Sequence, residues 1–77
     1  MNANTETNQQ VRAYMLTLKA IAETIRELKS VPSGHLYAQL MGKMSLEVYN
    51  GIISKLEGAG MVSRGEGHLL TWIGPKA

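Results

Sequence analysis

The sequence predicts a small α+β domain, mostly α, with three helices and a C-terminal β-hairpin. Apolar residues recur every three or four positions through the first two thirds of the chain, which is the period of amphipathic helices. The last stretch instead contains two short apolar runs on either side of a glycine-rich loop, which is typical of a hairpin. The chain has 77 residues and no cysteine, so we expect one domain with a thin aliphatic core.

The first predicted helix runs from about Asn8 to Lys29. Thr7 and Gln10 stand three residues apart, in the capping-box pattern that often begins a helix. The apolar positions that follow are spaced by three and four residues and lie on one stripe of the helix. These positions are Val11, Tyr14, Met15, Leu18, Ile21, Ala22, Ile25 and Leu28.

A break and a second, shorter helix are predicted next. Pro32 disfavours helical geometry at Val31, so we expect Val31 to be extended and to pair as a short edge strand. Ser33 is the expected N-cap of a helix over 34–41. The side chains that this helix buries are expected to be Leu36, Tyr37 and Leu40.

The third predicted helix follows Ser45, its expected N-cap, and runs from Leu46 to about Gly58. Its expected inner face consists of Leu46, Tyr49, Ile52, Ile53 and Leu56. Gly51 lies in the middle of this helix and is expected to let another backbone come close; this is either a DNA phosphate or the second helix, and the second helix is the favoured explanation. Gly58 and Gly60 are expected to supply the left-handed stop.

The predicted hairpin pairs residues 61–64 with residues 68–73 across a compact loop, Gly65-Glu66-Gly67. In this arrangement Arg64 lies on the first strand with His68 opposite it. The ordered chain is expected to end at Gly74-Pro75. The predicted organisation is therefore a disordered N-terminus at 1–7, one domain over 8–74 and a tail at 75–77.

One segment carries a resemblance to a known family. Ile52-Ile53-Ser54-Lys55-Leu56-Glu57, running into Gly60-Met61-Val62-Ser63-Arg64 and followed by Leu70-Thr71 and Gly74, resembles the winged helix-turn-helix superfamily, with a MarR-like wing segment. The similar order of elements covers residues 32–74. In that superfamily the leucine fills the core, the glycine ends the recognition helix, and a basic residue at the start of the wing often contacts the DNA backbone.

The resemblance implies a sequence-specific DNA-binding protein that regulates transcription as a dimer. Its recognition helix, 45–58, would enter the major groove, and its wing, 61–73, would lie on the backbone. Asn50 can pair with adenine, Glu47 can accept from cytosine, and Val48 can touch a thymine methyl group. The expected DNA-contacting residues are Lys43, Ser45, Glu47, Val48, Asn50, Ser54, Lys55, Arg64 and His68. The alternative interpretation is a solvated helix face with isolated surface cations.

The stripe on the first helix predicts self-association. Val11, Leu18 and Ile25 occupy one heptad position, and a small winged domain covers only three or four turns of so long a helix. The N-terminal half then exposes an apolar patch that we expect to form a homodimer interface. The patch consists of Val11, Tyr14, Met15 and Leu18. The alternative is that the helix packs along its own domain.

Other classes of function are not expected from this sequence. The two histidines have no cysteine beside them, and no nucleophile motif or phosphate loop is present, so we expect no metal, no cofactor, no small-molecule ligand and no enzymatic activity. The polar N-terminus and the lack of a long apolar stretch predict a cytoplasmic protein without membrane association.

The charge of the chain leaves two functions open. The formal net charge is +2 and the sequence pI is about 9.2, a basic bias that permits nucleic-acid binding without requiring it. The predicted recognition helix is poor in Arg and Lys. The alternative function is therefore a winged-helix module that binds protein through the helix stripe or the wing and does not bind DNA.

Overall fold

The computed structural model describes the backbone of residues 2–75 and the side chains of residues 9–75. This part of the chain forms three helices and one three-stranded antiparallel sheet, so the predicted α+β, winged-helix layout is confirmed. The helices are α1 (Asn2–Leu28), α2 (Ser33–Leu40) and α3 (Leu46–Gly58). The strands are β1 (Ser30–Pro32), β2 (Val62–Arg64) and β3 (Leu69–Trp72).

The first helix begins earlier than its predicted start near Asn8. Its first residue is Asn2, so Thr7 lies inside α1 instead of capping it. Residues 2–7 contain neither proline nor glycine, and extending a helix costs less free energy than starting one. Of the segment 1–7 that was expected to be disordered, residues 2–7 are thus helical, and Met1 lies outside the described residues.

The C-terminal half of α1 packs on the domain, and its N-terminal half extends past it. Ile21 and Ile25 are buried, whereas Val11 and Met15 are each 55% exposed. The 27 residues of α1 span about 40 Å. This length accounts for most of the molecule's longest dimension, 46 Å.

The inner face of α3 forms the centre of the core. Tyr49, Ile52, Ile53 and Leu56 are buried as predicted, but the prediction for Leu46 is wrong, because this side chain is 53% exposed. Leu46 shares a row with Ile53 but is the first residue of α3, and the other elements leave its side chain uncovered. Among the described side chains, the core consists of Ile21, Ala22, Ile25, Val31, Leu36, Tyr49, Ile52, Ile53, Leu56, Val62 and Leu70.

A buried tyrosine joins α2 to α3. Ser33 is the first residue of α2 and does not cap it; the cap position is Pro32, so the predicted cap at Ser33 is wrong. The Tyr49 hydroxyl donates to the Ser33 carbonyl oxygen at 3.1 Å and lies 2.9 Å from Ser33 Oγ. Burial raises the pKa of Tyr49 above the usual tyrosine value, against lowering by the Ser33 hydrogen bond and the Arg64 charge. The Ser33 hydroxyl therefore forms a hydrogen bond with the buried Tyr49 hydroxyl instead of with a backbone amide of the first turn of α2.

The sheet is ordered β1-β3-β2, with β3 in the middle. Val31 pairs with Leu70, so the predicted short edge strand at Val31 is confirmed. On the other side of β3, Arg64 also pairs with Leu70. His68 lies in a short 3₁₀ turn, Glu66–His68, before β3 begins, so the predicted pairing of His68 with Arg64 is wrong.

Truncation of Leu56 should be far more costly than truncation of Leu46. Leu56 is 1% exposed, so Leu56→Ala should lower the free energy of unfolding by roughly 2–5 kcal/mol. Leu46→Ala removes the same atoms from an exposed position and should change it by no more than about 0.5 kcal/mol. Urea denaturation of both variants measures the difference. Equal losses would contradict the described inner face of α3.

Candidate nucleic-acid interface

The turn before α3 is closed by backbone hydrogen bonds. The amides of Lys43 and Met44 both donate to the Leu40 carbonyl oxygen, at 2.8 and 3.1 Å. Ser45 then caps α3, as predicted, and its Oγ accepts from the Val48 amide at 3.2 Å. The Ser45 hydroxyl still has its own hydrogen to donate. Lys43 and Ser45 are both exposed and lie just before the first residue of α3.

The outer face of α3 is polar and small. Glu47, Asn50, Gly51 and Ser54 lie opposite the buried inner positions, because residues three and four apart share one side of a helix. All four are exposed, as predicted. Within residues 9–75, neither Asn50 nor Ser54 forms a side-chain hydrogen bond. Their hydrogen-bonding groups are therefore available to a partner.

Gly51 leaves open space at the centre of this face. A Cβ atom built on Gly51 meets no other atom within 4 Å, so the expected packing of Gly51 against α2 is wrong. A glycine inside a helix costs roughly 1 kcal/mol relative to alanine. No contact among the described residues explains a glycine at this position. The space beside it is large enough for the backbone of a partner to approach.

Two of the predicted DNA-contacting residues flank this face. Val48 and Lys55 stand seven residues apart on one side of the outer face, and both side chains are exposed. Val48 faces the groove between α1 and α2, which Lys43 also lines. These two residues thus border the outer face on the side away from the wing.

The end of α3 sets the start of the wing. The Met61 amide donates to the Leu56 carbonyl and the Gly60 amide to the Glu57 carbonyl, each at 3.0 Å, which is the Schellman pattern. Gly60 has φ 75°, a left-handed conformation that favours glycine. The predicted stop is thus correct for Gly60 and wrong for Gly58, which is the last helical residue and has no positive φ.

Arg64 forms an ion pair that the sequence does not reveal. Its Nη2 lies 3.1 Å from Oε1 of Glu57, and the side chains are 34% and 36% exposed. Arg64 is one of the expected DNA-contacting residues, and a phosphate would have to compete with the Glu57 carboxylate for it. Glu57 was missed because its approach to Arg64 depends on the intervening turn, for which no helical or strand spacing gives a signal.

The tip of the wing is a tight turn. The Gly65 amide donates to the Leu69 carbonyl oxygen at 2.8 Å, and Gly67 and His68 have φ 66° and 58°. Histidine is among the residues that adopt this left-handed region more readily than most. His68 is exposed at the tip, but it does not lie beside Arg64.

The predicted dimer patch divides into two pairs. Val11 and Met15 are exposed, whereas Tyr14 and Leu18 are partly buried and pack against the protein's own core. Leu16 was not predicted and is 62% exposed, because it lies on the back of α1, off the apolar stripe. Among the described residues, the large apolar side chains exposed on this part of α1 are therefore Val11, Met15 and Leu16.

The described part of the chain shows neither a metal-binding cluster nor a membrane-spanning helix. Among the residues that the structure describes, no three histidine, aspartate or glutamate side chains come together in a group that could hold a metal ion. None of the helices over residues 2–75 is both long and apolar enough to cross a membrane. A comparison of the chain with protein-family models, curated proteins and solved structures found no significant match.

Proposed function

We propose that this protein is a winged helix-turn-helix protein that binds double-stranded DNA and regulates transcription in the cytoplasm. The observation that carries this proposal is the exposed outer face of α3. Its inner face is fully engaged in the core, and its outer face presents hydrogen-bonding groups around a glycine. A helix that is held this firmly and presents such groups suits insertion into the major groove.

The outer face supplies the groups that distinguish bases. The Asn50 amide can donate to and accept from adenine, and the Glu47 carboxylate can accept from the amino group of cytosine. Val48 offers a methyl group to thymine. Gly51 and Ser54 are small, so the helix can lie deep in the groove without a clash.

The phosphate contacts come from the ends of α3 and from the wing. Lys43 and Ser45 stand at the start of α3, and Lys55 stands toward its end. Arg64 and His68 belong to the wing. Three of these side chains carry a full positive charge, so binding by one monomer should show a log–log salt slope between about −2 and −3.

The homodimer is part of this proposal. Val11 and Met15 are exposed at the end of α1 that extends past the domain, and Tyr14 and Leu18 border them. Contact between two such helices would bury this apolar surface and place two copies of α3 on one duplex. Symmetric dimers of this kind read half-sites that are about one helical turn apart.

Three substitutions should separate phosphate contact from base contact. Arg64→Ala should weaken binding to all duplexes alike and reduce the salt slope by about one per monomer. Asn50→Ala should cost roughly 1–3 kcal/mol on the preferred site and leave random DNA nearly unchanged. Glu57→Gln frees Arg64 and removes a negative charge, so it should tighten binding to all duplexes. Fluorescence anisotropy over a range of salt concentrations measures all three.

The preferred site comes from selection among random duplexes. Lys19→Ala serves as the control for loss of a cation, because Lys19 lies on α1 and is not one of the expected DNA-contacting residues. Its effect should be smaller than that of Arg64→Ala. Failure of the native protein to bind any duplex at low salt would refute the proposal and favour the protein-binding module.

Charge placed in the dimer patch should give monomers. In Val11→Glu/Met15→Glu the buried carboxylates would repel each other across the interface, and the variant should sediment as a monomer at tens of micromolar. The control is Leu28→Glu/Met41→Glu, which changes the charge equally at two exposed apolar residues outside the patch. Analytical ultracentrifugation gives the mass. A native protein that is already monomeric at this concentration would rule out the dimer.

A further inference from the structure

A second groove lies between α1 and the edge of the sheet at which β3 ends. It encloses about 530 Å³, and we call it the basic groove. Leu18 and Ala22 of α1 form its floor together with Met61 and Trp72, all of them partly or fully buried. Met15 and Pro75 are more exposed and stand at its edge. A surface of this composition suits the apolar face of another element.

Three cations follow one wall of the basic groove. Arg12, Lys19 and Arg26 are spaced by seven residues, so they form one row along α1 over about 21 Å. Glu23 is the one carboxylate that lines the groove. Among the described side chains, none of these three cations lies within 4.0 Å of a carboxylate oxygen. The ion pair that these side chains do form, Arg64 with Glu57, lies outside the groove. With three cations and one carboxylate, the groove therefore has a net positive edge.

We propose that the basic groove binds an amphipathic helix of a partner protein, with an apolar face and a row of acidic residues beside it. A helix of about four turns matches the length of the cation row. Carboxylates at seven-residue spacing on that helix would follow the same repeat as Arg12, Lys19 and Arg26. The apolar face would lie on Leu18, Ala22 and Trp72, which is the helix-in-groove mode of recognition.

The charge row favours this occupant over a second copy of the chain. Packing of one basic groove against the α1 of another copy would bring two rows of cations together, and like charges repel. The floor favours a protein helix over a duplex, because phosphates need cations and gain nothing from Met61 and Trp72. Concavity favours a helix over a membrane surface, which is flat on this scale. The proposed dimer shares Met15 and Leu18 with the groove, whereas Lys19 and Arg26 belong to the groove alone.

The test uses the full chain and a synthetic peptide of sixteen residues with leucines on one face and glutamates at seven-residue spacing beside them. Trp72 is the only tryptophan and lines the groove, so its emission reports binding directly. Titration should give a saturable blue shift that strengthens as salt is lowered. The Lys19→Glu/Arg26→Glu variant should bind about tenfold more weakly. A peptide with lysines in place of the glutamates should restore its binding.

Matched controls make the outcomes decisive. Lys43→Glu/Lys55→Glu changes the net charge equally outside the groove and should leave the peptide affinity unchanged. A peptide of the same composition without an apolar face should give no shift. No saturable change of Trp72 emission, or equal weakening by both charge reversals, would overturn the proposal. A shift produced by phosphatidylserine vesicles and not by the peptide would overturn it in favour of a membrane surface.

Discussion

Burial of the inner face of α3 is the interaction on which the rest of the structure depends. Ile52, Ile53 and Leu56 are at most 1% exposed and pack in one cluster with α1 and the sheet. Since these residues fix the rotation of α3 about its own axis, Asn50 and Ser54 must face solvent. The same packing positions the end of the helix, from which Gly60 turns the chain into β2. The core thus orients both the proposed reading face and the wing.

Polar groups in the core make that orientation specific. Tyr49 is almost fully buried, and its hydroxyl is satisfied by Ser33 at the start of α2. Loss of this partner would leave a buried hydroxyl unpaired, which typically costs about 1–3 kcal/mol. The contact therefore couples the placement of α2 to that of α3, as a helix-turn-helix arrangement requires.

Six of the eight lysines and arginines of the chain lie on two surfaces. Lys43, Lys55 and Arg64 lie near α3 and the wing, and Arg64 is held by Glu57. Arg12, Lys19 and Arg26 follow α1 on a different side of the molecule. A DNA-binding surface with so few cations is weak for a single copy, which makes dimer formation important to the proposed function. The separate row on α1 is available to a protein partner, which would share Met15 and Leu18 with the proposed dimer interface.

Periodicity predicts much of this fold and little of its detail. Apolar spacing identified three helices and most of the core, because burial selects one face of each helix. The errors arise where tertiary context decides: no other element covers Leu46 at the start of α3, the Ser33 hydroxyl bonds to Tyr49, and α1 continues back to Asn2. The outer face of α3 was predictable as the opposite of its inner face. The ion pair of Arg64 was not, because it requires the geometry of the intervening turn.

Mapping of DNA contacts residue by residue is the most direct test of the proposal that α3 and the wing read DNA. ¹⁵N-labelled protein is titrated with a duplex at low salt, and the shifts of the backbone amides are followed by nuclear magnetic resonance. If α3 and the wing bind DNA, the largest amide shift changes should occur in residues 45–55 and 64–68, with small changes in residues 19–26 of α1. Changes concentrated along α1 and Trp72, with α3 unaffected, would contradict it.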